Sequence, residues 1–222
     1  TCRGIYLKSA GTFEITDNTF ILCKADQGGG FKFENVNQKE GIENLIITGN
    51  TFESCIATNA GWAIYLRVNV PPKFANNNVD NCRYGTMIIQ VVFINEITEY
   101  ILDGFTFKNN EFHNSAGSED AGGSGFWIEN ANNRPFDYTF RGVTWIENTA
   151  SYAGGAFGYG RSSNHKQNNL VFDSCTFINN KCKEQYGGAL WIATTSLVSI
   201  DNCNFTNNKA LGTSSYGGAI YF

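Results

Sequence analysis

Two stretches near the end of the chain decide the fold, because they repeat one pattern: CTFINNKCKEQYGGALWI (175–192) and CNFTNNKALGTSSYGGAIYF (203–222). The aromatic residue in third position, Phe177 or Phe205, is the anchor of the pattern. Equivalent anchors precede them throughout the chain, at Phe20, Phe52, Val79, Phe112 and Trp145. A near-constant period of this kind indicates a repeat protein whose units bury their apolar faces only against neighbouring units. We therefore predict about seven stacked units.

The spacing inside each unit predicts strands. Apolar residues stand seven and five positions before the anchor, such as Leu170 and Phe172 before Phe177. This period of two is typical of a strand with one buried face. Three positions before the anchor comes a residue type that suits a tight bend, as at Gly49 or Asn202.

The predicted anchor of the fourth unit is Phe112. With Phe112 as the anchor, Phe105 and Phe107 become the inward residues of the first strand, and Asn109 lies in the bend. The segment 90–104 is then a long connection, apolar enough to form its own strand or to cover the tube.

A third strand follows a glycine-rich segment in each unit. Its two inward positions read Ile5/Leu7, Phe31/Phe33, Ile64/Leu66, Met87/Ile89, Phe126/Ile128, Phe157/Tyr159, Leu190/Ile192 and Ile220/Phe222. Three strands per unit, with bends between them and equivalent positions stacked, describe a solenoid. We predict an all-β, right-handed parallel β-helix of about seven rungs, with three short strands per rung, that forms a single domain over residues 1–222.

Asparagine and cysteine fill two complementary columns. Two positions before the anchor stand Asn18, Asn50, Asn77, Asn110, Val143, Cys175 and Cys203, and three positions after it stand Cys23, Cys55, Cys82, Ser115, Asn148, Asn180 and Asn208. Stacked Asn side chains can hydrogen-bond to one another along the axis, so we predict an asparagine ladder that changes column between units four and five. The cysteines are either redox or metal-binding groups or small packing residues, and the absence of C-x-x-C pairs favours packing. No cofactor and no metal site is predicted.

Composition and charge exclude several classes of function. The 16 basic and 20 acidic residues give a formal net charge of −4, which argues against nucleic acid or an anionic membrane as the partner. The longest apolar run, 87–94, is far shorter than the ~20 residues of a spanning helix, so the chain is not expected to span a membrane.

Both ends of the sequence stop within the repeat. We therefore expect a fragment of a longer solenoid, with further rungs or other chains at both open ends.

The last third of the chain carries F-x-x-N followed by Gly-Gly-Ala and an apolar residue three times, with Trp once in place of Phe. The segments are WIEN (145–148) with GGAF (154–157), FINN (177–180) with GGAL (187–190), and FTNN (205–208) with GGAI (217–220). This combination resembles the repeat of the polymorphic outer membrane protein family of chlamydiae, which is also found in surface proteins of protists. The resemblance implies a β-helical passenger or ectodomain at the cell surface or outside the cell, commonly serving adhesion.

One outward residue lies between the two inward residues of every third strand. The row reads Tyr6, Lys32, Tyr65, Ile88, Trp127, Gly158, Trp191 and Tyr221. Exposed aromatic rings form surfaces on which sugar rings stack or partner proteins dock. We therefore predict that a glycan or a surface protein binds at Tyr6, Tyr65, Trp127, Trp191 and Tyr221. The alternative is that these rings only stabilise the sheet by pairing across rungs.

The strongest candidate for catalysis is a pair of carboxylates. Four positions before the last four anchors stand Lys108, Arg141, Asp173 and Asp201, so the two aspartates stack beside Arg141. Adjacent carboxylates could share a cation or divide acid and base roles. An Arg141–Asp173 ion pair with a solvated Asp201 explains the same residues without chemistry. We predict a non-enzymatic binding protein; the alternatives are a structural filament or sheath component and a polysaccharide-cleaving enzyme.

Overall fold

The computed structural model describes residues 4–8, 12–34, 44–60, 63–68, 73–83, 87–91, 99–112, 127–130, 137–159, 169–192 and 197–222. Within these ranges every regular element is a β-strand and none is a helix. The strands pair in parallel with the equivalent strands of the preceding and following repeats. The prediction of an all-β, parallel solenoid is therefore confirmed.

Two sheets run the length of the described chain with seven strands each. The first sheet contains Thr12–Thr16, Asn44–Thr48, Lys73–Ala75, Glu99–Asp103, Asp137–Arg141, Asn169–Asp173 and Val198–Asp201. The second sheet contains Thr19–Ile21, Thr51–Glu53, Asn78–Asp80, Thr106–Lys108, Thr144–Ile146, Thr176–Ile178 and Asn204–Thr206.

The third face of the solenoid is built from two sheets. Its five-stranded part contains Ile5–Lys8, Phe31–Glu34, Ile64–Val68, Met87–Val91 and Trp127–Asn130, and its three-stranded part contains Phe157–Tyr159, Leu190–Ile192 and Ile220–Tyr221. Short strands join the second sheet to this face: Lys24–Gln27 with Ile56–Ala60, and Glu111–Phe112 with Thr149–Ala150, Lys181–Cys182 and Lys209–Ala210.

The fourth unit has a different register from the predicted one. Phe107 pairs with Val79 on one side and with Trp145 on the other, so Phe107 is the anchor of this unit. Phe112 instead pairs with Ala150, beyond the next bend. Both phenylalanines satisfy the local alternation, and only the pairing across rungs separates them. The anchor at Phe112 was therefore wrong by five residues.

The corrected register moves a strand into the first sheet. Residues Glu99–Asp103 pair with Asp137–Arg141, which places Leu102 opposite Phe140 in the interior. The segment 90–104 thus supplies a core strand, as one of the two expectations for it had stated. Phe105 and Phe107, assigned to that strand from the sequence, lie around the bend that follows it.

Two bends of each lap are held by residues with positive φ throughout the seven-stranded sheets. The first bend is at the position predicted from the sequence and contains Asp17, Gly49, Asn76, Gly104, Gly142, Ser174 and Asn202. The second bend follows the anchor and contains Leu22, Ser54, Asn81, Asn109, Glu147, Asn179 and Asn207. Asn109 therefore belongs to the second bend. Asn and Gly predominate because they adopt the left-handed conformation at the least cost.

The core is a tube filled by stacked rings. The anchor rings stack face to face along the axis, at 4.8 Å for Phe20 and Phe52 and at 4.6 Å for Phe177 and Phe205. Trp145 continues this row, with its ring 4.6 Å from that of Phe177. The interior row of anchors is therefore confirmed, with Phe107 in place of Phe112.

Asparagine ladders line both bends. In the first bend Asn18 and Asn50 donate their backbone N–H groups to Oδ1 of Asn50 and Asn77, both at 3.0 Å. In the second bend the chain of donors and acceptors runs through Asn110, Asn148, Asn180 and Asn208. The predicted ladder is thus present, but it changes column one unit earlier than predicted, because Asn110 belongs to the second bend.

Candidate functional site

The outward row of the third face is aligned as the sequence predicted. Lys32 pairs with Tyr6 and Tyr65, and the row continues through Ile88 to Trp127. In the three-stranded part, Trp191 pairs with Gly158 and Tyr221. The five candidate ligand-binding residues therefore occupy equivalent positions on two adjoining sheets.

Exposure differs sharply along this row. Tyr6 is 54% exposed, whereas Tyr65 and Tyr221 are partly buried. Trp191 is only 4% exposed and lies outside the main apolar core cluster. The expectation that it faces solvent is therefore wrong. The side chain of Trp127 lies outside the described residues.

The N-terminal part of the row contains a connected group of polar and aromatic side chains. The Tyr6 hydroxyl donates to Glu34 Oε2 at 2.9 Å, and Lys32 Nζ lies 3.3 Å from Glu34 Oε1. The same ammonium lies 5.3 Å from the ring centroid of Tyr6 and 5.2 Å from that of Tyr65. A cation at this distance from a ring face is attracted by the ring quadrupole. The hydrogen bond to Glu34 raises the pKa of Tyr6, which keeps the phenol protonated.

A second aromatic group lies at the C-terminal end, and sequence reasoning missed most of it. The Tyr186 ring stacks 4.5 Å from that of Tyr221 and 6.0 Å from that of Tyr216. Tyr152 meets Tyr186 edge to face at 6.3 Å. Tyr186 and Tyr216 both directly precede a Gly-Gly-Ala segment. This shared position in the repeat is the sequence feature that could have predicted their stacking. Because the rings stack on one another, this group stabilises the bend first of all.

The Gly-Gly pair beside these tyrosines is a backbone requirement. Gly187 has a φ of 59°, and a Cβ on Gly188 would collide with the carbonyl oxygen of Gly218 in the next rung. The Gly-Gly-Ala motif, on which the resemblance to the outer membrane protein repeat rests, therefore reflects the close packing of successive laps in this part of the chain.

The acidic pair has the arrangement expected of surface charges. Asp173 pairs in register with Arg141 and Asp201, and Arg141 Nε lies 3.8 Å from Asp173 Oδ2. Asp173 also accepts a hydrogen bond of 2.9 Å from the Ser174 hydroxyl. The corrected register places Asp103, and not Lys108, beside Arg141. These contacts favour the ion-pair interpretation over catalysis. Within the described ranges no three His, Cys, Asp or Glu side chains form a metal-binding group.

The cysteines of the two columns act as ladder elements. Cys55 donates its backbone N–H to Cys82 Sγ at 3.3 Å, and Cys175 donates in the same way to Cys203 Sγ at 3.3 Å. Burial raises the pKa of Cys175 to about 12. The thiol hydrogen bond between Cys55 and Cys82 lowers the pKa of Cys55 and raises that of Cys82. The six described cysteines are free thiols. Their geometry favours the packing interpretation.

Comparison with known proteins returned no match. No family model, no curated protein and no solved structure is similar to the chain. The described residues also contain no helix long and apolar enough to cross a lipid bilayer.

Proposed function

We propose that this protein is a non-enzymatic, surface or extracellular β-solenoid that binds a glycan or a surface protein through the outward row of its third face. The observation that carries the proposal is the alignment of Tyr6 and Tyr65 on adjacent rungs of a regular sheet, with Tyr6 more than half exposed. An exposed aromatic ring beside fixed polar groups provides both an apolar contact and hydrogen-bond partners for a sugar or a protein.

The full architecture that we propose is right-handed, with seven rungs. Two sheets of seven strands support this number. The third face is divided into one sheet of five strands and one of three strands. The resemblance to the polymorphic outer membrane protein repeat supports a place at the cell surface or outside the cell and a role in adhesion.

Glycan-array and cell-adhesion measurements on the full chain test the proposal. We expect a Tyr6→Ala/Tyr65→Ala variant to lose binding while its unfolding temperature stays close to that of the unchanged protein. Ile21→Ala, an exposed apolar residue on the second sheet, is the matched control and retains binding. Trp191→Ala is unsuitable as a binding probe, because loss of a buried indole destabilises the fold.

Two results would contradict the proposal. One is the absence of binding to any glycan or cell surface by the folded protein. The other is binding that the Tyr6→Ala/Tyr65→Ala variant retains in full. Polymerisation of the purified chain would instead favour the structural filament.

A further inference from the structure

We propose, on the basis of the proposed binding function, that the N-terminal part of the third face recognises an acidic glycan, one that carries carboxylate or sulfate groups. The site comprises two columns on three adjacent strands: Tyr6, Lys32 and Tyr65 in one, and Lys8, Glu34 and Arg67 in the other. The sheet register aligns each column across the three strands.

The charge of this patch is opposite to that of the chain. Lys8, Lys32 and Arg67 supply three positive charges, and Glu34 supplies one negative charge. The chain as a whole carries a formal net charge of −4. A local excess of positive charge on a negative protein attracts anionic groups to one place and discourages binding elsewhere. The patch is therefore selective for a ligand with acidic groups.

The described side chains show how the patch is organised. Glu34 holds both the Tyr6 hydroxyl and the Lys32 ammonium, and the side chains of Lys32 and Glu34 are each 19% exposed. Lys32 is thereby fixed between two tyrosine rings, close to the surface, where it lies 5.3 Å from the more exposed ring. Ordered cations lose little conformational entropy when they bind an anion. An anion that approaches Lys32 also meets Tyr6, whose exposed ring contacts the apolar face of a sugar.

The second column has a basic residue on each of the two strands that flank Glu34. Lys8 and Arg67 are its register neighbours on the two flanking strands. Arginine is suited to bidentate contact with carboxylate and sulfate-like oxygens, and lysine to contact as a point charge. The three strands therefore have three basic residues and one acidic residue at these register positions, and Glu34 is paired with Lys32.

The short extent of the patch favours a glycan over other polyanions. Three strands span only two strand spacings, roughly 10 Å. Further along the second column the register neighbours of Arg67 are Gln90 and then Glu129, so the positive charge ends within two more strands. Double-stranded DNA carries a charge about every 1.7 Å and would extend beyond these three strands, past Gln90 towards the strand of Glu129. A short acidic oligosaccharide fits the patch without that conflict.

Binding of three oligosaccharides to the full chain tests the inference: a heparin oligosaccharide with sulfate groups, a hyaluronan oligosaccharide with carboxylates, and neutral dextran. We expect heparin or hyaluronan to bind and dextran not to bind, with affinity falling as salt is raised. Binding of heparin without binding of hyaluronan identifies sulfate as the recognised group, whereas binding of hyaluronan shows that carboxylates suffice. Lys32→Gln/Arg67→Gln is expected to weaken binding by about tenfold or more, the loss of one or two charge-assisted hydrogen bonds.

The matched control is Lys181→Gln/Lys209→Gln, which removes two exposed lysines that pair in register on another face. This variant is expected to bind acidic oligosaccharides within about twofold of the unchanged protein. Unfolding temperatures confirm that both double variants fold. Should Lys32→Gln/Arg67→Gln fail to fold, Tyr6→Ala provides the second test, because this exposed ring is expected to contribute to acidic glycan binding.

Five outcomes would overturn the inference. Dextran that binds as well as the acidic sugars would leave the proposed function intact but remove the charge requirement. Equal losses in the two double variants would show diffuse attraction in place of a site. A DNA oligonucleotide that binds the same residues as tightly as the sugars would identify a general polyanion site. If no glycan binds but a surface protein binds the aromatic row, a sugar ligand is excluded. If neither a glycan nor a surface protein binds, the proposed function itself is wrong.

Discussion

Cys82 donates its backbone N–H to Oδ1 of Asn110 at 2.9 Å, and this bond joins a column of cysteines to a column of asparagines in the same bend. On the cysteine side, Cys82 Sγ accepts the backbone N–H of Cys55. On the asparagine side, Asn110 continues to Asn148. A thiol therefore takes the place of a carboxamide in the ladder, with the same acceptor role and a longer bond.

Asn148→Ala is expected to destabilise the protein by about 2–4 kcal/mol, because it removes the acceptor of a buried N–H group and leaves a small cavity. Oδ1 of Asn148 accepts both the backbone N–H and the side-chain amide of Asn110, at 3.1 and 3.0 Å. Urea unfolding measures the change. Asn78→Ala, on the partly exposed side of the second sheet, is the control and should change stability by less than about 0.5 kcal/mol. Equal effects in the two variants would argue against a ladder that contributes to stability.

Leu22→Asn is expected to increase stability by about 1 kcal/mol, because Leu22 adopts a φ of 53°, a conformation that costs most residues about 1–2 kcal/mol. Its side chain is 68% exposed, so little packing is lost. Asn occupies the equivalent bend at Asn81, Asn109, Asn179 and Asn207 with a similar φ. Thermal unfolding measures the shift. The control is Ile21→Asn, the neighbouring exposed position in a strand, where no gain is expected. A loss of stability in Leu22→Asn would show that the leucine side chain has a role of its own.

The sequence predicted most of the fold because its signals are local and repeated. Alternation located the strands, and Gly and Asn located the first bend, since both depend on residues close together in the chain. Phe107 and Phe112 were not separable in this way, because each satisfies the alternation within its own segment. Their roles are decided by hydrogen bonds to Val79, Trp145 and Ala150 in neighbouring laps.

The candidate site was predictable only in its alignment. Alternation places Tyr6 and Trp191 on the same side of a strand, but it carries no information on what covers that side, and Trp191 is buried where Tyr6 is exposed. Tyr186 and Tyr216 were missed because they lie in isolated bridges outside the named strands, where side chains follow no period of two.

Trp145→Phe is expected to leave stability unchanged within about 1 kcal/mol, because two effects oppose each other. The buried Nε1 of Trp145 has no hydrogen-bond partner among the described residues, so its removal relieves an unsatisfied donor. The smaller ring leaves a cavity beside Phe107 and Phe177, which stack on the indole at 5.8 and 4.6 Å. Trp145→Ala, which also removes the stack, should cost about 3–5 kcal/mol. Urea unfolding of both variants separates the contribution of ring stacking to stability from that of the N–H group. A Trp145→Phe variant as unstable as Trp145→Ala would contradict this account.

Alkaline pH is expected to destabilise the protein through its buried thiols. Burial raises the pKa of Cys175 from its ordinary value of 9.0 to about 12, so the folded state favours the protonated thiol. The stabilisation is fully present below pH 9 and is lost as the pH rises from about 9 towards 12, since the unfolded chain releases its proton first. Cys175→Val removes the titrating group, and its stability should fall less steeply over this range than that of the unchanged protein.

Thiol labelling provides an independent measurement of the same effect. In the folded protein at pH 8 we expect Cys175 to react much more slowly than Cys203, because Cys203 is only partly buried and the thiolate is the reactive form. The labelling rate of Cys175 should rise about tenfold per pH unit towards pH 10, because it follows the fraction of thiolate. Peptide mapping assigns the labelled residue, and labelling in urea sets the unprotected rate. Equal native rates for the two cysteines would show that Cys175 is accessible and would remove the basis of the pH prediction.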